Sequence, residues 1–132
     1  MNIIANDCTG AYLYTEQLKQ DFQNPFIWSS IDIDNFCILI EKFDVLDFNN
    51  ISYRLIENNS DVCKKGSQVV QITIDNTVDV YYFHYIYNTK YKTPTKAEGH
   101  TQCSCIVQYA LDTYRRRLEK MIEKPIFLWD AS

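Results

Sequence analysis

A chain of 132 residues is long enough for one domain with a packed core and too short for two. With 46% hydrophobic residues, 23% charged residues and only three glycines and three prolines, it is neither disordered nor low in complexity. No apolar run approaches the ~18 residues of a membrane span, and no basic segment leads into a hydrophobic signal region. The net charge of −4, without a continuous basic stripe, argues against nucleic acid as a partner. The expectation is a cytoplasmic protein without a membrane span.

Residues 2–6 read as a short apolar strand, followed by a helical period that places Ala11, Tyr14, Leu18 and Phe22 on one side. Asn24-Pro25 breaks that period. The apolar run Pro25-Phe26-Ile27-Trp28 suits a buried strand, and Ser29 or Ser30 can cap a second helix with Ile33, Phe36, Cys37 and Ile40 inward. Residues 52–57 alternate weakly, as a third strand or an edge would.

From Val69 the period becomes two. Val70, Ile72 and Ile74 share one face, Asp75-Asn76-Thr77 turns the chain, and Val78, Val80, Tyr82 and His84 return on one face of the partner strand. Residues 88–101 are polar and lysine-rich and read as a surface loop. Cys103, Val107, Ala110, Leu111, Tyr114, Leu118, Met121 and Ile122 then hold a 3.6-residue period, which predicts an amphipathic helix over 102–123. Lys124-Pro125 ends it, and residues 126–129 form a last apolar strand.

This order predicts a single α/β domain over residues 1–132: a layered domain with a mixed sheet, an N-terminal βαβα unit, an antiparallel hairpin and a C-terminal αβ pair. The five cysteines, at 8, 37, 63, 103 and 105, follow no disulfide framework and are expected to be reduced. Cys103-Ser104-Cys105 beside His100 lacks a second pair at zinc spacing, so neither a metal site nor another cofactor is expected. Nothing in the sequence sets an oligomeric state.

Charge divides along the chain: residues 1–63 carry ten acids and three bases, whereas residues 64–132 carry seven acids and ten bases. Lys90, Lys92, Lys96 and Arg115-Arg116-Arg117 could receive a phosphate or another anion, and they equally suit a solvated helix face.

Cys8 falls where the first strand gives way to the first helix, a position at which an α/β sheet presents free helix N–H groups. A helix N-terminus and a neighbouring imidazolium both favour thiolate, and His84 on its strand is the natural partner. Such a pair can attack a carbonyl carbon while helix N–H groups hold the oxyanion. The same residues also fit plain packing, since free cysteines commonly serve as small buried hydrophobes.

The segment Asn6-Asp7-Cys8-Thr9-Gly10-Ala11, with Leu13-Tyr14 behind it, resembles the opening Asn-Asn-Cys-x-Gly motif of bacterial exopolysaccharide or capsular polysaccharide biosynthesis proteins. Asn24-Pro25-Phe26-Ile27-Trp28 is similar to the Ser-Pro-Phe-Asp-Trp segment of the papain-like cysteine peptidase family of bacteria, with Ile27 in place of the family aspartate. That family also has a histidine after a strand and a Tyr-x-Arg-Arg helix before an apolar strand. Tyr114-Arg115-Arg116-Arg117-Leu118 and Ile126-Phe127-Leu128-Trp129 resemble these in order. Both families usually continue through further α/β elements, so this chain would be shorter at its C-terminus than such relatives.

The resemblance implies thiol-dependent hydrolysis or acyl transfer in a surface-polysaccharide context, with Cys8 as nucleophile and His84 as base. Arg116 and Arg117 would then meet an anionic group, and Asn6, Asp7 and Trp28 would contact a small-molecule or glycan substrate. The alternative is a non-catalytic domain of glycan assembly that holds a sugar-phosphate or a partner protein.

Overall fold

The computed structural model describes residues 1–56, 69–82 and 99–131, with side chains described from 107 onward in the last segment. The elements are β1 (Ile3–Ala5), α1 (Thr9–Tyr12), β2 (Ser29–Ser30), α2 (Ile33–Lys42), β3 (Ile51–Ile56), β4 (Val69–Ile74), β5 (Val78–Tyr82), α3 (Gly99–Leu118) and β6 (Ile126–Leu128). α1 continues through π-helical turns over Leu13–Leu18. The chain is a mixed α/β fold.

The described strands form two sheets. β1 and β6 pair in parallel, Ile3 opposite Ile126 and Ala5 opposite Leu128. The other four strands are antiparallel in the order β2-β5-β4-β3. A backbone bond of 2.8 Å, from Ile31 N–H to the Asn6 carbonyl, links the two sheets where β1 and β2 end. The expected N-terminal βαβα unit is therefore divided between them.

The hairpin of β4 and β5 has the predicted face and turn. Asp75 and Asn76 take φ of 50° and 53°, and Thr77 N–H closes on the Ile74 carbonyl at 2.9 Å. Two left-handed central residues define the turn whose twist matches paired strands, and Asp and Asn tolerate that backbone better than most residues. Val70, Ile72, Ile74, Val78, Val80 and Tyr82 are buried on one face. The other face carries a chain of polar contacts: Arg54 donates to Gln71, and Gln71 and Thr73 both donate to Asp79. β3 is the edge strand that the weak alternation predicted.

β1 is buried on both sides. Ile4 joins the main core with Phe26, Ile72, Val80, Leu111 and Tyr114, while Ile3 joins a smaller cluster with Ala11, Tyr14 and Ile27. Gly10 allows a close approach, because a Cβ there would stand 3.3 Å from the Ala5 Cβ, a tight contact.

A buried polar network fixes this end. Asn24 donates to Asn2 Oδ1 at 2.9 Å and to the Ile3 carbonyl at 2.7 Å, and accepts from Phe26 N–H at 2.9 Å. The Tyr14 hydroxyl accepts from Ile3 N–H and donates to the Met1 carbonyl.

Three expectations are corrected. Residues 25–28 form a turn instead of a strand, since Asn24 and Ser29 side chains satisfy the Phe26 N–H and carbonyl locally and Trp28 takes a left-handed φ of 57°. The strand is Ser29–Ser30 alone, so Asp32 caps α2 by accepting from Asn35 N–H at 2.9 Å. α2 is also rotated from its expected phase: Phe36 and Leu39 are buried, whereas Ile33 and Ile40 are 54% and 43% exposed and Cys37 is exposed. Phe36 packs on Phe127 and Trp129, and Asn35 Oδ1 accepts the β5 N–H of Asp79. The aromatic stripe buries more apolar area, so it takes the core side.

α3 ends at Leu118, short of the expected 123, and Ile122 is exposed. The chain must turn back there to lay β6 beside β1; Asn2 Nδ2 holds the Glu123 carbonyl, and Ile126 N–H donates to the Asn2 carbonyl. Replacing Asn24→Ala leaves the Ile3 carbonyl and Phe26 N–H without their side-chain partner in a buried setting. The expected loss is about 2–4 kcal/mol, read as a lower urea midpoint with an unchanged slope.

Candidate functional site

The candidate site begins where β1 runs into α1. Asn6 is buried and its side-chain amide brackets one residue from the far end of the chain: Nδ2 donates to the Asp130 carbonyl at 3.1 Å, and Oδ1 accepts from Asp130 N–H at 2.6 Å. The amide thereby extends the β1–β6 pairing by one rung. Asp7 Oδ1 accepts from Thr9 N–H at 2.9 Å, a short turn that starts α1. Thr9 Oγ1 donates to Asp130 Oδ2 at 2.6 Å.

Cys8 occupies the N-cap position of α1, and its carbonyl accepts from Ala11 and Tyr12 N–H groups. The thiol is half-buried. Burial, and secondarily the charge of Asp7, push its pKa up from the ordinary thiol value. The adjacent carboxylate of Asp7 opposes negative charge on the sulfur.

His84 lies outside the described residues, and with it the expected Cys8–His84 pairing and its shared sheet edge. The side chains of His100, Cys103 and Cys105, and residues Cys63, Lys90, Lys92 and Lys96, also lie outside them. Among the described residues no three His, Cys, Asp or Glu side chains gather as metal ligands, and no described helix is long and apolar enough to cross a membrane.

The Trp28 ring meets Tyr12 of α1 edge-on, with centroids 5.5 Å apart. Tyr12 is exposed, so the pair forms a partly open aromatic surface. A bulky residue in the left-handed region is uncommon and costs about 1–3 kcal/mol, which surrounding contacts must offset.

The arginines separate by environment. Arg115 and Arg116 are exposed at the end of α3. Arg117 is half-buried, with its guanidinium carbon 5.0 Å from the centre of the Phe22 ring, and its Nη1 is buried without a hydrogen-bond partner. Arg115 thus projects outward as the helical period predicts, and of the two arginines chosen as site residues, only Arg117 is drawn into the protein.

The structure therefore joins Asn6, Asp7 and Cys8 with Thr9 and Asp130. Sequence reasoning missed Asp130, for which no local signal exists, because it meets Asn6 only through the pairing of β1 with β6. It also missed Tyr12, whose exposed place on α1 the helical period does contain.

No protein-family model, curated protein or solved structure matches this chain.

The exposure of the two described thiols sets an order of reaction that reverses the one their sequence patterns suggest. Under limiting iodoacetamide at neutral pH, Cys37 is expected to be carboxamidomethylated before Cys8, as read by peptide mass mapping. Because its pKa is raised, Cys8 should gain rate only as pH rises past the range where an ordinary thiol already reacts. Replacing Asp7→Asn should shift that rise to lower pH.

Proposed function

We propose that this chain is a non-catalytic binding domain for an anionic sugar of the sugar-phosphate class, acting in the cytoplasm in the surface-polysaccharide context that its sequence resemblance implies. The exposed Tyr12 ring packed edge-on against Trp28 carries this reading.

The surrounding polar groups support the same reading. Asn6, Asp7 and Thr9 hold the chain to itself and to Asp130, so their bonds account for the motif as a structural joint. Tyr12 and Trp28 offer aromatic surface on which the apolar face of a sugar ring can stack. The guanidinium groups at the end of α3 suit phosphate, which they can meet with two parallel N–H donors.

A second reading keeps thiol-dependent hydrolysis or acyl transfer at Cys8, with His84 as base. It is favoured by one observation: the half-buried thiol stands at the carboxyl end of β1, at the N-cap of the following helix.

One pair of variants separates the two. Titration calorimetry with glucose 1-phosphate should give the same affinity for wild type and Cys8→Ser, and an affinity several-fold weaker for Arg116→Glu. Hydrolysis of p-nitrophenyl acetate by wild type, at rates lost in both Cys8→Ser and His84→Ala, would replace the binding reading with the thiol enzyme.

A further inference from the structure

β6 has one edge satisfied and the other open. Its Ile126 N–H donates to the Asn2 carbonyl and its Leu128 carbonyl accepts from Asn6 N–H, so these two residues turn their backbone groups toward β1. Backbone groups alternate sides along a strand, which leaves those of Phe127 and Trp129 at the opposite edge. Among the described residues no strand pairs with that edge.

The helix beside this edge is apolar on the flank that should be polar. Asn35 of α2 accepts the Asp79 N–H of β5, whereas Phe36 packs on Phe127 and Trp129 of the β6 segment. With 3.6 residues per turn, going round α2 from Asn35 past Phe36 leads next to Ile40, Ile33 and Cys37. The exposed stripe of α2 therefore lies beyond β6, on the side of the open edge. Trp129 and Ile126 are exposed at the same place. An occupant of this surface needs a strand to take the edge and an apolar flank to cover the stripe.

A second copy of this chain supplies both. An antiparallel partner β6 centred on Phe127 lets the two Phe127 residues exchange both N–H···O bonds, and each Trp129 N–H then reaches the Pro125 carbonyl of the other copy. Pro125 has no N–H to donate, so four bonds close the seam. Charge selects the same partner: this register sets Lys124 of each copy opposite Asp130 of the other. Phe127 faces α2 in both copies, so the two α2 helices come to one face of the joined sheet with their stripes toward each other.

We propose that this face is a two-fold interface between copies of this chain, in which β6 strands join antiparallel and the Ile33, Cys37 and Ile40 flanks of α2 pack together. Two three-residue parallel strands then become half of a four-stranded sheet. This goes beyond the binding reading above and does not depend on it.

Sedimentation equilibrium of the full chain should show a monomer–dimer equilibrium with a micromolar dissociation constant. Ile33 and Ile40 belong to neither core cluster, so Ile33→Glu combined with Ile40→Glu should keep the far-UV circular dichroism of wild type while weakening association about tenfold or more. Lys124→Asp should weaken it less, and high salt should narrow its difference from wild type. Hydrogen exchange reads the strand pairing in wild type directly: the Phe127 and Trp129 amides should exchange more slowly as protein concentration rises.

A wild type that stays monomeric at millimolar concentration would overturn the interface. A dimer whose affinity is unchanged in the double variant would assign association to another face and overturn it as well. If the double variant fails to fold, exchange in wild type still decides, because Phe127 and Trp129 amides indifferent to concentration exclude the β6 seam.

Discussion

The fold depends on a three-residue strand being buried from both sides. Ile3, Ile4 and Ala5 have no solvent face: Ile4 points into the main core and Ile3 into the smaller cluster under α1. Such a strand must have every backbone group paired, since an unpaired N–H or C=O there has no water to turn to. β6 supplies one edge. Tyr14 and Asn24 side chains take the Ile3 N–H and carbonyl, while the Asn2 and Asn6 side chains hold the backbone of Glu123 and Asp130 on either side of β6.

The same constraint governs the candidate site. Asn6 and Thr9 have the composition of catalytic or sugar-binding residues, yet their side chains are engaged in tying β1 to the segment after β6. What this arrangement leaves at Cys8 is a half-buried thiol beside a carboxylate, a setting that suppresses charge on sulfur. An open hydrogen-bond requirement lies elsewhere, on α3, where a guanidinium nitrogen is drawn inside without an acceptor.

Local periodicity made much of the architecture legible. The hairpin was readable because period-two patterning and an Asp-Asn turn agree, and α3 because its buried residues Val107, Ala110, Leu111 and Tyr114 repeat with the helical period. α2 was ambiguous for a physical reason: it has two apolar stripes, and nothing local says that Phe127 and Trp129 will attract Phe36 and leave Ile33, Cys37 and Ile40 outside. Residues 25–28 misled because apolar content is not strand content when flanking Asn24 and Ser29 close a turn on themselves. In the site, Cys8 and Asp7 could be picked out by type. Their electrostatics could not, because burial of the thiol is a property of the assembled core, and Asp130 enters only through contacts made across nearly the whole sequence.

The pairing of Ile3 with Ile126 also has a consequence in time. A ribosome delivers β1 about 120 residues before its parallel partner. At translation rates of roughly 5–20 residues per second, the first strand waits on the order of ten seconds for that partner. During that interval an apolar segment with unsatisfied backbone groups is exposed to the cell, while the β4–β5 hairpin can already form from neighbouring residues. Chaperone demand should therefore fall on β1, and a stalled or truncated product lacking residues 126–128 would present it as an unprotected strand to any other chain nearby.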